Sequence, residues 1–475
     1  MKIVILGAGR VGATVAESLA VEANDITVVD TDPARLRDLE DRLDLGTVVG
    51  NASHPSILRK AGIEDADMVL AVTQSDETNL VACKLAASLF NVPTKVARIR
   101  SADFLGDPQL FARENFCVDF AICPEQIITE YVSRLIEFPE ALQVVEFAGG
   151  LVSLVGVRAF HGGPLVGHEL QWLRSHVPQV DTRVAAIFRR DRPIIPEGRT
   201  VVEAGDEIFF IAASENIRRV MRELRRMDRP VKRVMIAGGG NIGRRLARAL
   251  ERDYEVKIVD TSGGACERLA SELHRTLVLH GDATNEELLE TENVAEMDVF
   301  CALTNDDENN IMASLMAKRM GAHKVIALIN RSAYADLVQG TAIDVAISPS
   351  QATIGTLLAR VRRGDVAAVH RLRRGAAEAL ELVAHGDPKS SKVVGRKIEE
   401  IRLPAGTTIG AVVRRLERPV THVLEDTLAV ERKEQVLIAH HDTVIQAEDH
   451  VIVFVTDRKT IPQVERLFQV DARFL

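Results

Sequence analysis

Short apolar runs rich in β-branched residues alternate with helical patterns of about 10–15 residues from the first position onward. The runs fall at 2–6, 26–30, 46–49, 68–72, 95–99 and 119–122, and helical patterns lie between them, for example at 10–22 and 76–90. Uninterrupted Val, Ile and Leu in the runs suit strands covered on both faces. The alternation therefore predicts a parallel, doubly wound α/β sheet with right-handed crossovers.

The same pattern returns in the second half of the chain. IVILGAGRVG at 3–12 is echoed by VMIAGGGNIG at 234–243, an offset of 231 residues. VVD ending at Asp30 returns as IVD ending at Asp260, VGNASHPSIL from Val49 as HGDATNEELL from His280, and AVTQSDETN ending at Asn79 as ALTNDDENN ending at Asn310. Arg100-Ser-Ala is matched by Arg331-Ser-Ala. Matches in one order at one spacing indicate duplication. A different kind of segment follows each unit. Residues 142–213 and 378–456 read as short strands broken by turns (GGPLVG, RPIIPEG and EAGDEIFFIA; SSKVVG, PAGTTIGAVV and AEDHVIVFV). They predict two small α+β domains. The predicted organisation is a Rossmann-like unit at 1–124, a small domain at 140–226, a second Rossmann-like unit at 232–350 and a second small domain at 368–458. The charged stretch 217–232 reads as a surface helix linking the halves.

Composition narrows the class. At 475 residues the chain exceeds one ordinary domain, and 46% hydrophobic against 27% charged residues is a globular balance. One Trp and three Tyr leave the cores to Val, Leu, Ile and Ala. The net charge of -9 offers no overall attraction to nucleic-acid phosphates. Cys83, Cys117, Cys123, Cys266 and Cys301 form no C-x-x-C pair, which suits reduced thiols in a cytoplasmic protein. The opening MKIVILGAG reads as a strand and a turn, not a leader, and no apolar run reaches the roughly 18–20 residues that span a bilayer.

The chemistry concentrates in the glycine-rich turns. Gly7, Gly9 and Gly12 follow a strand and open a helix, the context in which such a turn receives a pyrophosphate at a helix N-terminus. The first glycine makes the turn, the second lets backbone approach the ligand, and the third lets helix and strand pack. Asp30 ends the second strand, where its carboxylate can accept ribose hydroxyls and repel a 2′-phosphate. That disfavours NADP but leaves NAD(H), ATP and ADP open. The second copy offers Gly238, Gly240 and Gly243, with Asp260 seventeen residues on. Thr73, Gln74 and Thr304 close the fourth strands, while Arg98, Arg100 and Arg331 end the fifth, where they can meet phosphate or a neighbouring acid. No acid–base constellation accompanies these clefts. His161, His168, His176, His440, His441 and His450 lack partnered spacing, and His440 and His441 are expected on opposite faces of a strand. The basic stretch 360–374 is read as an exposed face for a partner or a membrane surface. An NAD-dependent oxidoreductase and a nucleotide-sensing transcription regulator are the rival readings.

Taken together, GAGRVG, ASHPSIL, ADMVLAVTQSDETN, GGGNIG, ALTNDDENN, AKRMGA, DLVQG and DVAISP resemble the peripheral NAD-binding subunits of bacterial Trk potassium-uptake systems over nearly the whole chain. The resemblance implies two RCK (regulating conductance of potassium) modules, each a Rossmann unit with a small C-terminal unit, and a regulator in place of an enzyme. It implies NAD(H), with ATP or ADP as further ligands, and a homotetrameric ring docked on the cytoplasmic face of a membrane-embedded potassium channel or transporter subunit of the TrkH or TrkG type. Carried over by position, the first site comprises Gly7, Ala8, Gly9, Arg10, Val11, Asp30, Thr73, Gln74 and Arg98. The second comprises Gly238, Gly239, Gly240, Asn241, Ile242, Asp260, Leu303, Thr304 and Arg331. Two departures stand out. Residues 415–433 look like an insertion, expected as a surface loop. TSGGAC after Asp260 replaces the longer polar side chain expected there, so the second ligand can differ from the first.

Overall fold

The computed structural model describes residues 1–20, 24–173, 180–190, 192–224, 230–338, 342–362, 366–421 and 428–470. Its first sheet contains β1 (Lys2–Leu6), β2 (Asp25–Asp30), β3 (Gly46–Val49), β4 (Met68–Ala71), β5 (Thr94–Arg98) and β6 (Phe120–Ile122), in the order β3-β2-β1-β4-β5-β6. Every pairing is parallel. The central strands are buried throughout, Ile3 to Leu6 and Met68 to Ala71 among them, because helices cover both faces. The chain reverses winding between β1 and β4, which places a crevice at their carboxyl ends. Helices Arg10–Ala20 and Asp76–Ser88 stand within the predicted spans.

A five-stranded antiparallel sheet follows: β7 (Ala141–Phe147), β8 (Val152–Arg158), β9 (Thr182–Arg189), β10 (Arg192–Ile194) and β11 (Glu207–Ala213), in the order β10-β9-β11-β8-β7. The helix Ser214–Leu224 closes this unit. The stretch 217–232, of which residues 225–229 lie outside the described residues, was expected as a surface linker. Instead Ile217, Val220 and Met221 are buried, in contact with β8 and β11, so only its outer face is polar.

The third sheet repeats the first. Its strands are β12 (Arg233–Ala237), β13 (Glu255–Asp260), β14 (Leu277–His280), β15 (Val299–Ala302), β16 (Lys324–Leu328) and β17 (Val345–Ile347), in the order β14-β13-β12-β15-β16-β17. The fourth repeats the second as a five-stranded antiparallel sheet of β18 (Val366–Leu372), β19 (Ala377–Ala384), β20 (Thr407–Thr421), β21 (Leu428–Ile438) and β22 (Asp449–Val455). The stretch 415–433 is not the loop expected. Its described residues extend the β20–β21 hairpin, with pairing unbroken from Ala411↔Ile438 to Thr421↔Leu428.

The two halves clasp each other. The helix Pro124–Glu137, which leaves the first Rossmann unit, buries Ile128, Val132 and Leu135 in one core with Leu246, Ala247 and Leu250 of the second. Reciprocally, Ile354, Leu357 and Leu358 of helix Pro349–Val361 share a core with Val15, Ala16 and Leu19 of the first unit. Lys324 of the second unit donates to the carbonyls of Leu135 (3.1 Å) and Ala141 (2.9 Å), a cation at the end of the first unit's exit helix. The small sheets also meet face to face, with Phe147, Leu154 and Phe209 against Ala379, Val413 and Phe454. The duplication thus builds an intramolecular pair.

Two further expectations change. The basic stretch 360–374 is largely internal: the side chains of Arg362, Arg371 and Arg373 are 2%, 6% and 11% exposed, and they face Glu378 and Glu207. Apart from the exposed Arg360, these described arginines form no solvated basic face, and residues 363–365 lie outside the described residues. His440 and His441 lie in the turn after β21, with His440 3.2 Å from Asp181; His450 pairs with Glu381 at 2.6 Å, and His168 stacks on Trp172. His176 lies outside the described residues. Among the described residues, no helix is long and apolar enough to cross a membrane.

Candidate functional site

Each glycine-rich turn is built as the spacing requires. Gly7 has φ +110° and Gly238 φ +104°, a backbone state other residues rarely adopt. A Cβ on Gly12 would come 1.8 Å from the Gly7 carbonyl oxygen, and one on Gly243 1.9 Å from that of Gly238. Helix and strand can approach only because these positions are bare. Gly9 and Gly240 are different. A Cβ there would meet no atom within 4 Å, so these two face open space where a ligand's backbone contacts would form.

The acidic residue ending the second strand holds the turn. Asp30 Oδ2 accepts the Ala8 N–H at 2.6 Å and Oδ1 accepts that of Asp32 at 2.9 Å. Asp260 does the same with Gly239 (2.7 Å) and Ser262 (2.8 Å). Each carboxylate oxygen keeps a lone pair for a hydroxyl donor. On the other side of the crevice, a fully buried asparagine anchors the fourth strand's tip. Asn79 accepts from the Thr73 N–H (3.0 Å) and hydroxyl (2.7 Å) and donates to the Arg98 carbonyl (2.8 Å). Asn310 reproduces this with Thr304 and the Leu328 carbonyl. Neither asparagine was singled out from sequence, although each ends the repeated AVTQSDETN and ALTNDDENN segments. Asp76 then accepts the Arg100 and Ser101 N–H groups, both at 2.8 Å, whereas Asp307 accepts those of Asn330 and Arg331. Asn330 is therefore the structural counterpart of Arg100, and the Arg-Ser-Ala match is one residue out of register.

Both crevices open into one cavity of about 1170 Å³. It brings together Gly7, Gly9, Arg10, Val11, Asp30, Thr73, Gln74, Arg98 and Arg100 from the first unit. From the second it takes Gly238, Gly240, Asn241, Ile242, Asp260, Leu303 and Thr304. Ala8, Gly12, Gly239 and Gly243 support the turns from behind and do not line it. Arg331 is a further expected contact that does not line it. Its side chain turns outward to Glu308 (2.8 Å) and Tyr334 (2.8 Å), away from the cavity. Lining residues not anticipated include Arg35, Asn51 and Glu125 on one side and Asp282, Asn305 and Asp306 on the other. The repeated Gly-Asn and Gly-Asp after the third strands was the available signal for Asn51 and Asp282.

Local pairing sets the electrostatics. Arg98 lies 3.4 Å from Glu125, and Arg100 lies 3.7 Å from Asp76 while donating to the Gln74 carbonyl. Arg245, on the helix behind the second turn, donates to the Arg100 carbonyl at 3.0 Å, a direct bond between the two units beside the cavity. Burial pushes the Cys83 and Cys301 thiols up to about 12, and the five cysteines are free of disulfides. Among the described residues, no group of three or more His, Cys, Asp or Glu is arranged to hold a metal ion.

Comparison with known proteins gives the lineage. The TrkA-N domain family matches residues 3–124 and again 234–349, and the TrkA-C domain family matches 154–225. A Trk system potassium uptake protein TrkA from Halomonas elongata is 60% identical over 474 residues, covering 100% of both chains. The chain belongs to the TrkA family. A TrkA of Vibrio alginolyticus is 55% identical over 476 residues, and a TrkA homolog of Methanosarcina mazei is 32% identical over 481, each across essentially both full lengths. The TrkA-N matches coincide with the two parallel sheets and their helices. Among solved structures, the GsuK RCK domain aligns with TM-score 0.60 at 17% identity, covering 98% of this chain and 95% of that one. A GsuK channel bound to NAD aligns with TM-score 0.60 at 17% identity, over 98% of this chain and 79% of that one. These likenesses establish the tandem RCK architecture of this TrkA-family chain.

Proposed function

We propose that the chain is a regulatory subunit with no chemical step of its own, which binds NAD(H), and ATP or ADP, in the shared cavity and thereby controls potassium uptake. The observation that carries this reading is the cavity itself, which draws its walls from both Rossmann units. A ligand there touches two bodies at once, so its affinity depends on how they are set against each other. That dependence is all a switch needs. The relatives named as potassium uptake proteins supply the process, and a channel of the same fold is described as bound to NAD. On this reading Gly7, Gly9, Arg10, Val11, Asp30, Thr73, Gln74, Arg98 and Arg100 hold the first nucleotide, and their counterparts from Gly238 to Thr304 hold the second. The chain would act as a tetrameric ring on the cytoplasmic face of a membrane-embedded potassium-transport subunit. Coupling of about 1–3 kcal/mol per site, summed over a ring, reaches the roughly 5.5 kcal/mol that moves a gate from mostly closed to mostly open.

The test is Asp30→Ala. Removing the hydroxyl acceptor should weaken nucleotide binding at the first cleft by about tenfold or more, measured by calorimetry on the full chain. Nucleotide-dependent potassium flux through the reconstituted partner should weaken in parallel. Flux that keeps its full nucleotide dependence in a variant that no longer binds at that cleft refutes the switch.

A further inference from the structure

The two clefts are repeats in backbone and opposites in charge. On the first side Arg10, Arg35, Arg98 and Arg100 line the cavity. Their counterparts in the second half are Asn241, Ala265, Leu328 and Asn330, and among the described residues no lysine or arginine of that half lines it. The reverse holds for acids. Asp282 and Asp306 occupy the places of Asn51 and Ser75 and, with Asp260, put three carboxylates on the second side. Among the described residues these carboxylates bond only uncharged partners. Asp282 accepts the Thr284 N–H and hydroxyl at 2.8 Å, Asp306 accepts the Asn309 N–H at 2.8 Å, and Asp260 accepts two backbone N–H groups. On the first side the acids that line the cavity are Asp30, in the ribose-type position, and Glu125, 3.4 Å from Arg98; Asp32 and Asp76, outside the lining, lie 3.3 Å from Arg35 and 3.7 Å from Arg100.

Both turns still offer backbone N–H groups and a helix N-terminus to a pyrophosphate, so neither cleft is closed to a nucleotide. What differs is the field met by charge beyond the pyrophosphate. A third phosphate approaches arginines in one cleft and carboxylates in the other, and unit charges within a Debye length of each other still interact measurably. We infer that the clefts sort nucleotides by charge. The first takes phosphate-rich ligands such as ATP. The second takes an adenine ligand of low net charge such as NAD+, whose nicotinamide cation offsets one of its phosphates, and it discriminates against metal-free ATP. This rests on the reading that both clefts bind nucleotide.

The test is calorimetric titration of the full chain with ATP and with NAD+ in magnesium-free buffer at low salt. ATP should show two classes of site at least about tenfold apart in affinity. The double variant Asp282→Asn, Asp306→Asn should strengthen the weak class by about tenfold and leave the strong class within about twofold. Asparagine can keep both local structures, since Asp282 serves as a turn acceptor and Asp306 as a helix N-cap. Arg10→Gln with Arg35→Gln should weaken the strong class, again by about tenfold. Equal ATP affinity at both classes in the parent, or a weak class unmoved by the asparagines, overturns the charge assignment. Absence of binding by both nucleotides would instead remove the nucleotide reading beneath it.

Discussion

Gly12→Ala should destabilise the first Rossmann unit by about 3 kcal/mol, seen as a shift of its transition in guanidinium denaturation of the full chain. The added methyl would lie 1.8 Å from a backbone oxygen, Gly7 O, and 3.0 Å from its carbon. No rotamer change relieves a clash between two main chains. The helix Arg10–Ala20 would have to lift from β1, and it carries Val15, Ala16 and Leu19, which join its own unit to the exit helix of the other half. Gly9→Ala separates packing from binding. Its methyl meets nothing within 4 Å, so stability should stay within about 0.5 kcal/mol, yet the methyl fills the space through which a phosphate would approach the turn. Nucleotide affinity should then fall by about tenfold or more. A Gly12→Ala protein as stable as the parent would contradict the close helix–strand contact. A Gly9→Ala protein with unchanged affinity would contradict the turn's role as the phosphate seat.

The parallel sheets were legible because their information is local. The run KIVIL followed by GAGRVG specifies a buried strand, a tight turn and a helix start within a dozen residues, and the same signal recurs from Arg233. Asp30 and Asp260 could be placed for the same reason. Periodicity says which face of an element is apolar and nothing about what covers it. The burial of Ile217, Val220 and Met221, and the sharing of one core by Val132 and Leu246, depend on contacts far apart in sequence. The arginines of 360–374 were misread on that account. A run of like charge looks solvated until the acids that meet it, Glu207 and Glu378, are brought alongside by other strands. The slip that sends Arg331 outward and puts Asn330 in Arg100's place is finer still. It is fixed by which N–H groups Asp307 accepts, and residue identity suggested the opposite pairing. The merging of two crevices into one cavity was likewise invisible, since each half was read as its own site.

Glu378→Ala should be the most damaging single change in the second small domain, at about 3–5 kcal/mol. Glu378 is 0% exposed on β19, between β18 and β22, and three guanidinium groups converge on its carboxylate. Arg362 Nη2 is 2.7 Å away, Arg458 Nε 3.1 Å and Arg371 Nε 3.5 Å. The side chains of Arg362 and Arg371 are 2% and 6% exposed, so deleting the acid removes the counter-charge they share and leaves Arg362 with the longer pair to Glu465 at 3.6 Å, where water screens little. The loss would also act on the junction between halves, because Arg362 ends the helix that packs against the first Rossmann unit. Arg458 is 41% exposed, and its removal leaves Glu378 with its two more deeply buried partners, so Arg458→Ala should cost less than about 1 kcal/mol. Neither change touches the cavity lining, so nucleotide affinity measured below the transition should stay within about twofold. A Glu378→Ala chain that melts within about 1 kcal/mol of the parent would mean that these arginines reach water, and that the clasp between the halves rests on apolar packing alone.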